Sequence, residues 1–307
     1  MSLGIPYMGS KRKLASDILH FITSRHNDID TFYDLFGGGG SISFTAIRDY
    51  RFKVHYNELN KHIYSLVEYL KNNKELEPKF FEWVTREEFF NQINKSNEDA
   101  DWFSGFVMSC WSFGNSQSSY LYGSDIENLK RLAHEFIVNK DLNAMREIGV
   151  DIPELCNING VQKRRVLFCK HIEEVTKNRF DVQNLERLSL LESLARLQNL
   201  QNLQNLQISN QSYEKVIINP NENAVIYCDI PYRGTGEYKE GGFNHDEFYE
   251  WFANLDYPAY LSEYNAPFEQ VHAFKHRSSL SATNNKKQVV EKIFFNGKGK
   301  VNNNTLF

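Results

Sequence analysis

Four consecutive glycines, Gly37-Gly38-Gly39-Gly40, separate the apolar and aromatic run at residues 31–36 from a segment in which Ile42, Ala46 and Ile47 recur at helical spacing. Strand, glycines, helix is a restrictive order. A backbone without Cβ atoms lets a ligand come close, and the helix that follows turns its free N–H groups toward it. The Gly-Lys-Ser/Thr ending of a nucleoside-triphosphate loop is absent, since Ser41 follows Gly40 directly. A second run, residues 52–56, ends in Asn57-Glu58-Leu59-Asn60. An acid about 20 residues beyond the glycines is where Rossmann-type sites accept the hydroxyls of a ribose. Asn60 also stands ahead of Ile63, Leu66, Val67 and Leu70 as a helix N-cap, and the two roles are compatible.

The same grammar returns late in the chain. Ala224-Val225-Ile226 leads into Tyr227-Cys228-Asp229-Ile230-Pro231-Tyr232 and then Arg233-Gly234-Thr235-Gly236. This reads as a buried strand ending in a turn that carries a carboxylate, a proline and a ring. At the carboxyl edge of an open α/β sheet such an end faces the ligand crevice. One acceptor, one rigid bend and one stacking ring suit a flat heterocycle bearing an amino group, although an ordinary strand-to-loop turn has the same pattern. Further strands are expected at 216–218, 259–265, 271–274 and 292–295, the last two as an antiparallel pair, with a helix around 246–254. Near the N-terminus, Ser10 is expected to cap a helix carrying Leu14, Ile18, Phe21 and Ile22.

From about residue 72 to 210 the strand–helix alternation disappears. The stretch from Ser112 to Gly123 is polar, aromatic and turn-rich, a composition suited to a hairpin or loop that meets a partner. Leucines then fall at 185, 188, 191, 194, 197, 200, 203 and 206, always three apart. An α-helix advances ~100° per residue, so each such step slips ~60° and the stripe would smear around one long helix. A spacer, or a helix buried on several sides, accommodates that pattern.

A chain of 307 residues holds one large α/β domain or one domain with an insertion. The four cysteines, Cys110, Cys156, Cys169 and Cys228, form no C-x-x-C pair, which implies reduced thiols and no zinc site. No segment approaches ~18 consecutive apolar residues and no signal segment opens the chain, so a soluble, cytoplasmic protein without a membrane partner is expected. The net charge of -4 argues against a generally basic coat, but charge is unevenly spread. From Val271 onward there are seven Lys or Arg and a single acid, Glu291. Lys11-Arg12-Lys13 and Lys163-Arg164-Arg165 are further basic clusters, compatible with a phosphate-backbone partner.

Taken together, these stretches resemble the DNA adenine N6-methyltransferases of the Dam type. The family's N-terminal glycine-and-lysine motif is similar to Tyr7-Met8-Gly9-Ser10-Lys11. Its F-x-G-x-G cofactor loop is matched by Phe36, Gly38 and Gly40, with Asp34 where an acid is usual, and its strand-two acid by Glu58. Its D-P-P-Y motif is matched by Asp229, Ile230, Pro231 and Tyr232, with Ile230 in place of the first proline. The order of the motifs is the family's, and the likeness covers roughly both ends of the chain and little of the middle.

The resemblance implies a Rossmann-like methyltransferase sheet, residues 1–71 and 209–307, with an inserted, mainly helical DNA-recognition domain at 72–208. It implies S-adenosylmethionine as methyl donor, double-stranded DNA as partner, and no metal. Asp229, Pro231 and Tyr232 are the expected catalytic residues; Tyr7, Lys11, Asp34, Phe36, Gly38, Gly40, Glu58 and Asp229 are expected at the cofactor. Asn115, Gln117, Arg277, Lys286 and Lys287 are expected to contact DNA. A cognate restriction endonuclease, with no direct contact, is a further expectation. Ile230 is expected to loosen the turn without abolishing activity. Three alternatives stay open: cytosine N4 methylation, which usually has Ser at the Asp position; a DNA-binding module that has lost catalysis; and a nicotinamide-dependent dehydrogenase.

Overall fold

The computed structural model describes residues 3–26, 28–176, 185, 188–233, 242–277 and 288–299. The strands are β1 (Thr31–Asp34), β2 (Lys53–Asn57), β3 (Leu206–Ser209), β4 (Ala224–Asp229), β5 (Ala259–Glu263), β6 (Glu269–Arg277) and β7 (Gln288–Phe295). The helices are α1 (Ala15–Ser24), α2 (Ser41–Tyr50), α3 (Lys61–Asn72), α4 (Arg86–Ile93), α5 (Trp102–Cys110), α6 (Glu127–Asn139), α7 (Leu142–Glu147), α8 (Val161–Thr176), α9 (Leu188–Gln198) and α10 (His245–Asn254). The chain divides into two compact units. One holds Gly9–Tyr64 and the chain from Leu200 onward; the other holds Ser65–Asn199 with the short segment Ile5–Met8.

The first unit is built on a seven-stranded sheet of order β3-β2-β1-β4-β5-β7-β6. β1 to β5 run parallel, and β7 is antiparallel to both of its neighbours. Every residue of β1 is buried, as are Ala224 to Cys228 of β4, which is what a parallel sheet covered on both faces requires. The order reverses between β1 and β4, so the crevice at a topological switch point lies at the carboxyl ends of those two strands. Tyr33, Ile226, Cys228, Ile230, Phe248, Phe252 and Leu261 belong to the core cluster that joins α10 to the sheet. The antiparallel pair expected at the end of the chain is present as β6 and β7.

Three local expectations need correction. Ser10 caps no helix: the chain turns over residues 12–14 and α1 begins at Ala15, its N-cap position filled by Leu14. The reason lies in Lys11, whose side chain is buried and whose carbonyl accepts from the Leu14 and Ala15 N–H groups, each at 2.8 Å. Residues 216–218 are not a strand. Val216 and Ile218 pack on the core, while Ile217 is 86% exposed, and the strand beside β2 is instead Leu206–Ser209. The three-residue leucine repeat encodes no single element. Four leucines of the repeat lie in α9, Asn202 then takes a left-handed φ of 64°, and Leu206 opens β3. Within α9 only three steps of slip accumulate, so Leu188, Leu191, Leu194 and Leu197 can all be buried along about half the helix surface.

The second unit is helical with an aromatic core. Phe80 stacks on Trp102 at 4.4 Å and Trp83 meets Trp111 edge-on at 5.1 Å. Arg164, read as part of a basic cluster, is buried; its guanidinium donates to the carbonyls of Ile137 (2.7 Å), Val138 (3.3 Å) and Ile158 (2.6 Å). It closes the carboxyl end of α6 in place of meeting a phosphate. No helix among the described residues is long and apolar enough to cross a membrane.

Candidate active site

The glycine loop is held by its own neighbours. A Cβ on Gly37 would lie 2.1 Å from the Tyr56 ring, and one on Gly40, which has φ of 71°, would lie 2.5 Å from the Phe44 ring. Only glycine fits either place. Tyr56 also donates its hydroxyl to the Gly38 carbonyl at 2.7 Å, and the Gly37 N–H donates to the Asn57 carbonyl at 2.8 Å. Glu58 completes the fastening: its Oε2 accepts from the Gly38 N–H at 2.7 Å and its Oε1 from the Asn60 N–H at 2.8 Å. Asn60 caps α3 as expected, accepting from the His62 and Ile63 N–H groups at 3.0 and 3.3 Å. Phe36 packs against Tyr213, Phe243 and Phe248.

Asp34 ends β1 and is buried, with Oδ2 accepting from the Ser43 hydroxyl of α2 at 2.7 Å. Burial pushes its carboxyl up to about 7, helped by the charge of Asp229 and opposed by the Ser43 hydrogen bond. Across the switch point, Asp229 ends β4. Its Oδ1 accepts from Lys11 Nζ at 2.7 Å, and Lys11 Nζ also lies 3.6 Å from Glu291 Oε1 on β7. Burial pushes Asp229 up to about 6; Lys11 opposes this and the Glu291 charge adds to it. Burial pulls Lys11 down, but the charges of Asp229 and Glu291 outweigh it and hold the ammonium above its ordinary value. The amine is therefore charged, beside two carboxylates.

Tyr232 sits in the same cluster. Its hydroxyl donates to Glu291, Lys11 Nζ lies 4.8 Å from its ring centre, and its ring meets Tyr264 edge-on at 4.6 Å. Burial and the nearby Asp229 and Glu291 charges raise the phenol, keeping it a neutral donor. The turn itself is fastened at Pro231, whose carbonyl accepts from His245 Nε2 at 2.8 Å, and at Arg233, whose N–H donates to Glu263 Oε1 at 3.1 Å. Ile230 is 2% exposed within the core cluster, so the residue that departs from the proline pattern is used for packing. A cavity of about 510 Å³ opens here, lined by Arg233, Asp246, Tyr249, Glu263, Tyr264 and Asn265 together with Ala266 and Pro267.

The structure thus brings Lys11, Asp34, Gly38, Gly40, Glu58, Asp229, Pro231 and Tyr232 into one unit, at or beside the ends of β1, β2 and β4. Tyr7 belongs to the Ile5–Met8 segment of the second unit. Asn115 and Gln117 lie in the second unit, in a hairpin tip closed by the Ser112–Tyr120 bridge, and both take left-handed φ values, 58° and 60°. Phe113 in that tip is 62% exposed, while Trp111, Tyr120 and Tyr122 anchor its base in the core. Arg277 ends β6, and Lys286 and Lys287 lie outside the described residues. No group of three or more His, Cys, Asp or Glu among the described residues is placed to hold a metal.

Sequence reasoning missed Gly37, Ser43, Glu263 and Glu291. Glu291 had a signal: it is the single acid in a tail of seven basic residues, on a strand that otherwise carries Val289, Val290, Ile293, Phe294 and Phe295 beside Gln288 and Lys292. Ser43 and Glu263 had none, because their partners are remote in sequence.

No curated protein matches the chain. Among solved structures, two of the rRNA methyltransferase aviRa from Streptomyces viridochromogenes, at 2.4 and 1.5 Å, are 11% identical to it. One alignment covers 94% of this chain and 85% of the other with a TM-score of 0.35; the second covers 96% and 88% with a TM-score of 0.37. The family profile of the D12 class N6 adenine-specific DNA methyltransferases matches residues 7–292. That span takes in the glycine loop, the Asp229 turn and the strand of Glu291, and the chain belongs to this class of enzymes, which methylate adenine in DNA.

Proposed function

We propose that the methyl group comes from S-adenosylmethionine and goes to N6 of an adenine turned out of duplex DNA, with Asp229 as the acceptor that orients the amino group. The observation that carries this reading is the Lys11–Asp229 pair at the end of β4, next to the glycine loop that follows β1. The residues present fit the donor. Glu58 offers two carboxylate oxygens to a ribose diol, Gly38 and Gly40 leave the backbone open, and Asp34 is a buried acid that a cationic group would ionise. Lys11 and Phe36 complete the set within this unit. When bound, S-adenosylmethionine supplies a methyl group activated by a sulfonium, so the protein's work is proximity and orientation.

An exocyclic adenine nitrogen is conjugated with its ring and is a poor nucleophile. A hydrogen bond from its N–H to the Asp229 carboxylate favours the more tetrahedral, nucleophilic form. The base must leave the duplex to reach this point. Tyr232, whose ring meets Tyr264 edge-on, offers a ring for it to stack on. The second unit is read as the recognition domain, with Asn115 and Gln117 of the hairpin tip contacting bases and the chain around Arg277, Lys286 and Lys287 contacting phosphates.

Single-turnover transfer of labelled methyl from S-adenosylmethionine to adenine in duplex DNA tests the reading. Asp229→Asn keeps the shape and removes the charge, and should slow transfer by about 10²–10³, the usual effect of losing one preorganised electrostatic contact. Asp229→Ala should abolish transfer. Wild-type rates in both variants would refute the assignment.

A further inference from the structure

Asp229 Oδ1 holds the ammonium of Lys11 at 2.7 Å, so a substrate amino group that takes that oxygen competes with Lys11 for it. The ammonium is the stronger of the two donors and weakens the oxygen it holds as an acceptor. Lys11 is also buried, its side chain 6% exposed, so on leaving Asp229 it needs another anion or it stands as an unpaired buried charge. The structure holds that anion. Glu291 Oε1 is 3.6 Å from Lys11 Nζ, on a side chain 5% exposed, and it already accepts the hydroxyl of Tyr232.

We propose that Glu291 is a positioning residue that receives the Lys11 ammonium when the target amino group takes its place on Asp229, and that it holds the Tyr232 ring by its hydroxyl in both states. The inference rests on Asp229 being the acceptor of that amino group. Lys11 moves between two carboxylates that already lie 2.7 and 3.6 Å from its Nζ, so the charge balance of the cluster is kept while the acceptor is released. The groups facing this cluster are Asp34 on β1, Lys11 before α1, Tyr227, Asp229 and Tyr232 on β4 and its turn, Glu263 and Tyr264 at the end of β5, and Glu291 on β7. Among them Lys11 is the single cation, and Asp229 and Glu291 are the two acids within its reach.

The test is Glu291→Gln, which keeps shape and size and removes the charge, alone and combined with Lys11→Met. Wild-type transfer to adenine in duplex DNA is measured first, and its absence would overturn the Asp229 reading and this inference together. With the wild type active, Glu291→Gln should lower the single-turnover rate 10- to 100-fold, because Lys11, which otherwise reaches only the neutral Gly9 carbonyl at 3.2 Å, then has no carboxylate but Asp229. The acid limb of its rate–pH profile should move to lower pH, since the Glu291 charge is one of the causes that raise Asp229. Removing the ammonium should relieve the defect, so that Glu291→Gln costs less than threefold in a Lys11→Met background. Should Glu291→Gln fail to fold, Glu291→Asp takes its place, and retained rate with an unmoved pH limb is then the expected result. A Glu291→Gln enzyme with wild-type rate and pH limb would overturn the inference while leaving Asp229 as acceptor, and so would an equal loss in both backgrounds.

Discussion

Asp34→Asn isolates the cost of burying a carboxylate beside the glycine loop. Asp34 is 1% exposed and its carboxyl is pushed from 3.8 to about 7, first by burial and then by the charge of Asp229, against the Ser43 hydrogen bond. Between those two values the folded state keeps a proton that the unfolded chain has lost. The stability contributed by Asp34 is therefore fully present below pH about 4 and is lost as pH rises through about 7. Three pH units at 1.36 kcal/mol each give a loss of roughly 4 kcal/mol. Asparagine does not titrate, and its amide oxygen still accepts from Ser43. Near pH 8 the variant should be the more stable protein, by on the order of 2–4 kcal/mol once the cost of placing the new NH₂ group is included. At about 2–4 °C per kcal/mol, that is a rise in Tm of about 4–16 °C. Near pH 4 the two Tm values should agree within a few degrees. Scanning calorimetry at the two pH values is the assay, reading the transition of the sheet unit, because a chain of two units need not unfold in one step. A Tm difference that does not change with pH would refute the burial argument, as would an Asn variant less stable than wild type near pH 8.

Glu58→Ala should weaken S-adenosylmethionine binding by at least tenfold in calorimetry and lower Tm slightly, since Glu58 also fastens the Gly38 and Asn60 N–H groups; tight NAD binding in its place would refute the cofactor assignment. Asn115→Gly with Gln117→Gly removes both side chains without forcing Ala into the left-handed backbone. Sequencing of methylated DNA should show altered site preference with little change in salt sensitivity, and an unchanged site would move recognition out of the hairpin tip. Ile230→Pro restores the family turn but removes part of a buried side chain, so about 1–3 kcal/mol of stability should be lost with transfer retained. A Gly37→Ala protein should fail to close its loop, because the added methyl falls on the Tyr56 ring; wild-type Tm and cofactor binding in that variant would contradict the loop geometry.

What the sequence determined by itself is the part carried by short-range pattern. Glycines between an apolar run and a helical period, an acid at the end of the next strand, and a carboxylate–proline–ring turn after a second apolar run all depend on residues within one element and its loop. Those signals located β1, β2, β4, Gly38, Gly40, Glu58 and Asp229, and Asn60 as a cap. The tertiary structure decided whatever depends on partners far apart in the chain. Residues 216–218 have the apolar content of a strand, yet β2 took Leu206–Ser209 as its neighbour, because edge pairing is a competition between segments and their burial patterns. Ser10 lost its cap when Lys11 was drawn into the fold by acids 218 and 280 positions away. One lysine and one arginine from the clusters read as compatible with a phosphate-backbone partner, Lys11 and Arg164, became buried fastenings, since a cation is buried only where carboxylates or carbonyls are brought to it. Glu291 shows the limit most directly. Its isolation among basic residues was visible, but its place beside Lys11 and Tyr232 exists only because β7 turns antiparallel and inserts next to β5.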